Sequence, residues 1–407
     1  MKTAIPTLSL ALLALGCGEQ QELPLGAVSV VDSAGVEIVT HPAGYEQWLP
    51  VWTVTKQMVE IGASDGPGHD LDQVRGATRL SDGRIVVANG GSRELRFFDR
   101  DGTYLSTSGR HGRGPGDFAA LHLLQRLAGD TLAALDGELG RMSLFSPSGG
   151  FVRSLPAALR GEHEHALGQY LLSDGRPVGG GYVIDHGTDV AGPVERKPFA
   201  LVLFGVDGKG LDTLAVVPER ERFKGMGHAM GKQYPTSFAL QFGRHTVYTT
   251  DGARIYVGTN EPGGIRVYDV EGRLLRLIRS ESPPEPITAK DRARNERDEL
   301  ELFQRQRSPE QSKAEWLKQR ESVRYAEVFP DYERLLIGTD GTLWQERTPR
   351  SLDEGRRYIV YDSTGKAIAE VTCPDNFRPY EVGPEEILGR WRDADGVHYV
   401  RVYRVNH

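Results

Sequence analysis

The 407-residue sequence predicts an all-β protein, and three observations predict it. Glycine supplies 49 residues and gathers in short polar stretches, the signature of many tight turns. The segments between those stretches alternate apolar and polar residues and are rich in β-branched and aromatic side chains, the period-two pattern of half-buried strands. One strand-and-turn pattern also recurs down the chain. With 39% hydrophobic and 26% charged residues and only 2 cysteines, the composition excludes a collagen-like, disordered or disulfide-stapled chain. The net charge of −7 excludes whole-surface attraction to nucleic acid, and no nucleic-acid partner is expected.

Residues 1–16 come first. Lys2 precedes an apolar stretch, residues 5–16, that is too short to span a bilayer and reads as an export signal. Its end, Leu13-Ala14-Leu15-Gly16-Cys17, resembles the lipobox of bacterial lipoproteins, with Ala14 where leucine is commoner. The resemblance implies cleavage after residue 16 and lipidation of Cys17. Gly18 and Glu19 lack the aspartate associated with inner-membrane retention, which implies an outer-membrane address, facing the periplasm or the cell surface. An ordinary signal peptide is the alternative. With Cys17 acylated, Cys373 has no partner, so no disulfide is expected. Residues 17–56 read as a tether followed by a β-hairpin, VSVVDSAGVEIV.

The rest of the chain, residues 57–407, repeats two units. The first is a turn with glycine running into alternating apolar residues, as in LSDGRIVVA (80–88), LAGDTLAALD (127–136), LSDGRPVGGGYV (172–183), TDGARIYVG (250–258) and GTDGTLWQE (338–346). The second is an aromatic residue with glycine four positions on: FDRDG (98–102), FSPSG (145–149), FGVDG (204–208), YDVEG (268–272) and YDSTG (361–365). A sixth, weaker copy spans 382–405. Each pair of units supplies the inner and outer hairpins of one four-stranded antiparallel sheet, which cannot bury its faces alone. Stacking such sheets radially buries both faces and leaves only short edges. The expected fold is therefore a six-bladed β-propeller of four-stranded antiparallel blades. The last blade lacks an outer strand, and Met58-Val59-Glu60-Ile61-Gly62 is expected to supply it and close the ring. Two β-sandwich domains are the alternative architecture.

Residues 70–155, and Gly114-Pro115-Gly116-Asp117-Phe118 above all, resemble the NHL repeat, and the whole is similar to six-bladed bacterial propellers of the NHL and TolB-like kind. That resemblance implies a propeller, and propellers host binding modules and enzymes alike.

Blade topology places the short turns on one face and the long connections on the other, at 62–73, 109–118, 156–169, 184–197, 218–233 and 280–325. Functional groups of repeat folds collect on such a face. His69, His111, His163, His165, His186 and His228 fall in these connections. Imidazoles at a channel mouth can bind an anion, move a proton or ligate a metal, so His111, His163, His165, His186 and His228, with Arg113 and Tyr182, are the expected ligand-binding residues. Arg110, Arg160 and Tyr234 are further candidate anchors. Between blades 4 and 5, residues 287–323 break the β pattern: Thr288 with Asp291, and Ser308-Pro309 with Gln311, read as starts of two charged helices, a rim hairpin or a lid.

No HExxH, Walker or CxxC motif is present in the sequence and no GxSxG nucleophile elbow between a strand and a helix, and no catalytic residue or cofactor is assigned. The expected function is an envelope-anchored, monomeric binding module or scaffold that recognises a protein, peptide or glycan through its long-connection face. The alternative is a lactonase-like hydrolase or lyase with calcium at the channel mouth, held by Asn89, Asp136, Asn260 and Glu346 just past the second strands of their blades.

Overall fold

The structure, a computed structural model, describes residues 28–407 apart from 63–65, 161–163, 184–193, 206–210, 230–231, 262–263, 306–315, 318–319, 321–322 and 352–353. The described chain is a β-propeller. Its first sheet runs Val74–Arg79, Ile85–Asn89, Glu94–Phe98 and Tyr104–Ser108, each strand antiparallel to the one before it. The second repeats that order with Leu121–Arg126, Leu132–Asp136, Arg141–Phe145 and Phe151–Pro156. The third comprises Glu164–Leu171, Pro177–Val183, Pro198–Phe204 and Leu211–Pro218, with the short strand Ala158–Arg160 on its inner edge. Val247–Thr250 opens the fourth, which ends at Leu274–Ser280, and the fifth runs from Tyr332–Ile337 to Ala367–Thr372. The last sheet has three strands of its own, Phe377–Val382, Glu386–Arg392 and His398–Asn406.

Its fourth strand comes from the N-terminus, as the sequence predicts. Val51–Ile61 pairs antiparallel with His398–Asn406, with Val59 opposite Val402 and Ile61 opposite Val400, while its first residues run parallel to Glu370–Thr372 of the fifth sheet. The ring is continuous. The inner strand of the first sheet packs on those of the second and the last, and the inner strand of the fifth packs on those of the fourth and the last. The third and fourth sheets meet through the Ser173 N–H donating to Gly252 O at 2.8 Å and the Tyr170 and Tyr248 rings at 6.0 Å.

The recurring glycines are turn residues. Gly102, Gly149, Gly272 and Gly365, four positions after Phe98, Phe145, Tyr268 and Tyr361, have φ between 81° and 94°, a left-handed backbone that costs glycine nothing. In each, the glycine N–H closes the turn onto the carbonyl three residues earlier. Aromatics in and beside these units turn inward: Phe97, Phe98, Phe118, Phe145, Trp344 and Phe377 are fully buried between sheets, each contributing about 2 kcal/mol of apolar burial.

The hairpin Ser29–Ser33 with Val36–His41 lies outside the ring, parallel to Leu274–Ser280. His41 pins it between two sheets: Nδ1 lies 3.2 Å from Arg279 O, and Nε2 accepts the Ala367 N–H at 3.0 Å. Burial lowers its pKa and keeps the ring neutral, as a ring accepting at Nε2 must be.

Two expected loops are strands instead. Most of 156–169 forms the inner edge of the third sheet, and 218–233 opens the hairpin Arg222–Ala229 with Lys232–Ala239. A helix, Ala289–Arg305, follows the fourth sheet, capped reciprocally: the Thr288 hydroxyl donates to Asp291 Oδ2 at 2.6 Å and accepts the Asp291 N–H at 3.3 Å. Much of the second expected helix, 308–322, lies outside the described residues, although Arg320 is helical and binds Glu296 at 2.8 Å and Glu299 at 2.6 Å. Cys373 is a buried free thiol whose pKa burial raises. Among the described residues no helix is long and apolar enough to cross a membrane.

Ile61, fully buried at the seam, provides a test of closure. Ile61→Ala is expected to lower the unfolding free energy by about 3 kcal/mol in urea titration; an unchanged midpoint would show that the closing strand is dispensable.

Candidate functional site

The inner strands line a cavity of about 930 Å3 along the axis. Its wall includes Thr78, Gln125, Tyr170, Thr250 and Tyr380, with glycines of the short turns, Gly175, Gly252, Gly338 and Gly341, at one end.

A repeated irregularity aims side chains at this space. Pairing between first and second strands slips by one residue between Val74 and Gly76, Leu121 and Leu123, Gly168 and Tyr170, Tyr332 and Arg334, and Pro379 and Glu381. Each slip is a bulge, which leaves one residue unpaired and turns it away from the ladder. The extra residues are Arg75, His122, Gln169, Glu333 and Tyr380, of which Arg75, His122 and Tyr380 line the cavity. Tyr380 also donates from its hydroxyl to Val74 O at 2.7 Å, joining the last and first sheets.

The wall is basic. Among the described residues, Arg75, Arg126, Arg153, Arg334, Arg378 and Arg390 line it against two acids, Asp251 and Glu381. Arg334 is engaged structurally, donating to Glu346 Oε2 at 3.0 Å, Tyr358 Oη at 3.2 Å and Pro379 O at 2.8 Å. Glu346 also binds Arg356. Burial alone would raise its carboxyl, but Arg334 and Arg356 outweigh that and hold it below the usual carboxylate range. Glu381 sits at the short-turn end, where burial raises its pKa although Thr78 and Arg126 oppose the shift; it accepts from the Thr78 hydroxyl and the Arg79 N–H.

Arg378 and Arg390 differ from Arg334. They stand directly opposite one another on neighbouring strands, and among the described residues neither side chain makes a hydrogen bond or an ion pair. Arg390 Nε is buried without a partner. Desolvation lowers the pKa of both, reinforced by Arg334 for Arg378 and by Arg392, Arg356 and Arg75 for Arg390. His398 borders the same cluster. Burial first, then Arg390, Arg392 and Arg75, lower its pKa to about 4 against the opposing Asp72, and its Nδ1 accepts the Val74 N–H at 3.0 Å.

Of the ligand-binding residues expected from sequence, two have side chains described, and neither lines the cavity. His111 is exposed, in a bridge with Phe118, and Arg113 is exposed and paired with Glu138 at 3.2 Å. His163 and His186 lie outside the described residues, and for His165, Tyr182 and His228 the backbone alone is described, in strands. Cys17 also lies outside. His69 packs edge-on to Phe98 and accepts the Gly62 N–H at 3.1 Å.

Asn89, Asp136, Asn260 and Glu346 are all buried, and none lines the cavity. Asn89 accepts the Asp72 N–H at 2.8 Å and donates to Ser92 Oγ at 2.8 Å. Asp136 accepts four backbone N–H groups, from Ala119 at 2.7 Å, Ala120 at 3.3 Å, Glu138 at 3.1 Å and Leu139 at 2.9 Å. Asn260 exchanges hydrogen bonds with the Tyr332 backbone at 2.9 and 3.1 Å, tying the fourth sheet to the fifth. Their recurrence past the second strand is thus a device for holding chain links. Among the described residues no three His, Cys, Asp or Glu side chains form a group that could hold a metal ion.

No family model matches the chain, and no curated protein does. Solved structures similar in outline include a putative exported protein from Bacteroides fragilis, 11% identical, covering 91% of this chain and 99% of that one at a TM-score of 0.46. A gluconolactonase from Xanthomonas campestris is 11% identical and covers 82% and 88% at a TM-score of 0.39. Virginiamycin B lyase from Staphylococcus aureus is 9% identical and covers 84% and 97% at 0.37.

Two measurements check this description. Asp136→Ala leaves four backbone donors without their acceptor and is expected to destabilise the fold by about 3 kcal/mol, equally with and without calcium; a loss seen only in calcium would make Asp136 a ligand. The pKa of about 4 for His398 gives a signed pH dependence. The unfolded chain takes up a proton near the ordinary imidazole value of 6.5 and the folded chain only near 4, so the unfolded state binds more protons between them. Stability from this residue is present above 6.5 and is lost as pH falls toward 4. Melting temperatures across that window should fall less steeply for His398→Asn than for wild type, and parallel curves would refute the assignment.

Proposed function

We propose that this chain is an exported, lipid-anchored, six-bladed propeller of the NHL and TolB-like kind that works as a monomeric recognition module at the outer membrane, taking a protein, peptide or glycan partner at its long-connection face. The single observation that carries the recognition role is the pair Arg378 and Arg390, guanidiniums in a cavity wall that among the described residues neither donate nor pair. Arg378 is exposed to the cavity and Arg390 is half-buried, with only its Nε buried and unpartnered, so both guanidinium forks are open to an anionic group of a partner.

Address and count rest on other ground. The export signal, the Cys17 lipobox and the two repeat units support the anchor and the six blades, and the first described strand, Ser29–Ser33, runs along the outer edge of the fourth sheet. The lactonase-like alternative is less favoured, since a wall with six arginines against two acids repels the divalent cation such chemistry needs.

The test is capture from envelope extract by the full-length chain, solubilised in detergent with its anchor. A partner held by wild type and lost with Arg378→Gln/Arg390→Gln is expected; equal capture by both would remove the site from the function. Labelling with a palmitate analogue should mark wild type and not Cys17→Ser, and label retained in the variant would overturn the lipoprotein reading.

A further inference from the structure

We propose that Arg75, Arg378 and Arg390 form an anion subsite at the long-connection end of the channel, which takes a small ligand carrying more than one oxyanion charge, as carboxylates or phosphate. The inference rests on the recognition reading above and names the ligand chemistry of that same site.

Strand geometry carries it first. Arg378 and Arg390 are direct cross-strand partners, so their side chains leave the sheet on the same side. Like charges directly opposed in a ladder are destabilising, and among the described residues no acid is paired with either. Glu346 is committed to Arg334, Arg356 and Tyr358, and Glu381 to Thr78, the Arg79 N–H and Arg126, while Asp72, whose field reaches His398, forms no ion pair with the three arginines among the described residues. Placement comes second. Arg75 reaches the same space because the bulge at 74–76 frees it from the ladder, and its own contact is with Gln73 Oε1 at 2.9 Å, which leaves its charge uncompensated. The packing of the last sheet on the first brings it to Arg390, whose pKa it helps to lower.

Chemistry names the ligand class. A guanidinium presents a planar fork of donors that matches carboxylate or phosphate oxygens two at a time, and three forks around one space suit more than one anionic group. Neutral His398 beside them, Nδ1 already accepting from Val74, adds no positive charge and keeps the opposite nitrogen for donation. Tyr380 and Tyr170 in the same wall supply flat apolar surface for the body of the ligand, and about 930 Å3 admits a molecule of sugar-acid size.

The experiment titrates the full-length chain with citrate and, separately, with pyrophosphate at constant ionic strength, reading melting temperature and binding heat. Saturable stabilisation by one of them is expected, and which one separates the carboxylate from the phosphate source. Each single change, Arg378→Gln or Arg390→Gln, should weaken binding about tenfold or more, whereas Arg113→Gln on the rim should not. A second readout has the opposite sign. Without anion, Arg378→Gln should melt higher than wild type, because it removes like-charge repulsion, whereas loss of a structural arginine would lower it. No saturable stabilisation by either anion, or equal stabilisation of wild type and the double variant, would overturn the proposal. If partner capture still depends on these arginines while both anions fail, the ligand class falls and the recognition module stands. Should an anion bind while capture ignores the arginines, the module falls and the anion site stands.

Discussion

Everything in this molecule depends on the closing of a ring by a strand borrowed from the other end of the chain. Three strands after residue 377 cannot bury their outer face or satisfy their outer edge. Val51–Ile61 supplies the missing ladder and places Ile61 against Val400, fully buried. Once that pairing exists, the last sheet packs on the first, Tyr380 reaches Val74 O, and Val74 reaches His398. The arginine cluster straddles this same seam. Its geometry is therefore a consequence of closure, since Arg75 belongs to the first sheet and Arg378 and Arg390 to the last.

The turns were legible because their chemistry is local. Gly102, Gly149, Gly272 and Gly365 occupy a backbone region that side chains resist, and the aromatic four residues before each must point into the space between sheets. Neither fact needs knowledge of distant parts of the chain. The third sheet was harder to read. Its inner strand, Glu164–Leu171, carries charge and glycine in place of alternating apolar residues, and it pairs with the glycine-rich Pro177–Val183. Its strand character comes from that partner, so its residues alone predict a loop, as do those opening the hairpin of 222–239.

Site residues were less legible still. Histidine counts in long connections located a face but no cavity, because which side chains converge depends on register. Arg75 and Arg378 occupy polar positions in otherwise alternating strands, which in an isolated sheet means facing solvent. In this ring the same positions line the axial cavity, and for Arg75 a one-residue bulge decides the matter. The weak signal available was arginine recurring near the start of innermost strands, at 75, 334 and 378. The position just past the second strand was recognised as recurrent, yet Asn89, Asp136 and Asn260 spend their polar atoms on backbone groups of adjoining links. Recurrence at equivalent places in a repeat follows from equivalent structural needs, and by itself it does not identify a ligand.

Position is therefore a weaker guide to function here than unbalanced charge. Arg334 and Arg378 line one cavity and feel each other's field, but Arg334 has a buried carboxylate, a phenol and a carbonyl to donate to, and Arg378 has none of these. The first arrangement lowers the energy of the folded chain by itself. The second raises it, through like-charge opposition and the buried, unpartnered Arg390 Nε, and is relieved when a negative charge enters from outside. A folded chain can keep such a pair because the rest of the ring, tied by turns, seams and the borrowed strand, holds the two strands in register regardless. The stability of the frame and the strain of the cluster are thus two aspects of one arrangement, in which the closed sheet hold charges where they would not place themselves.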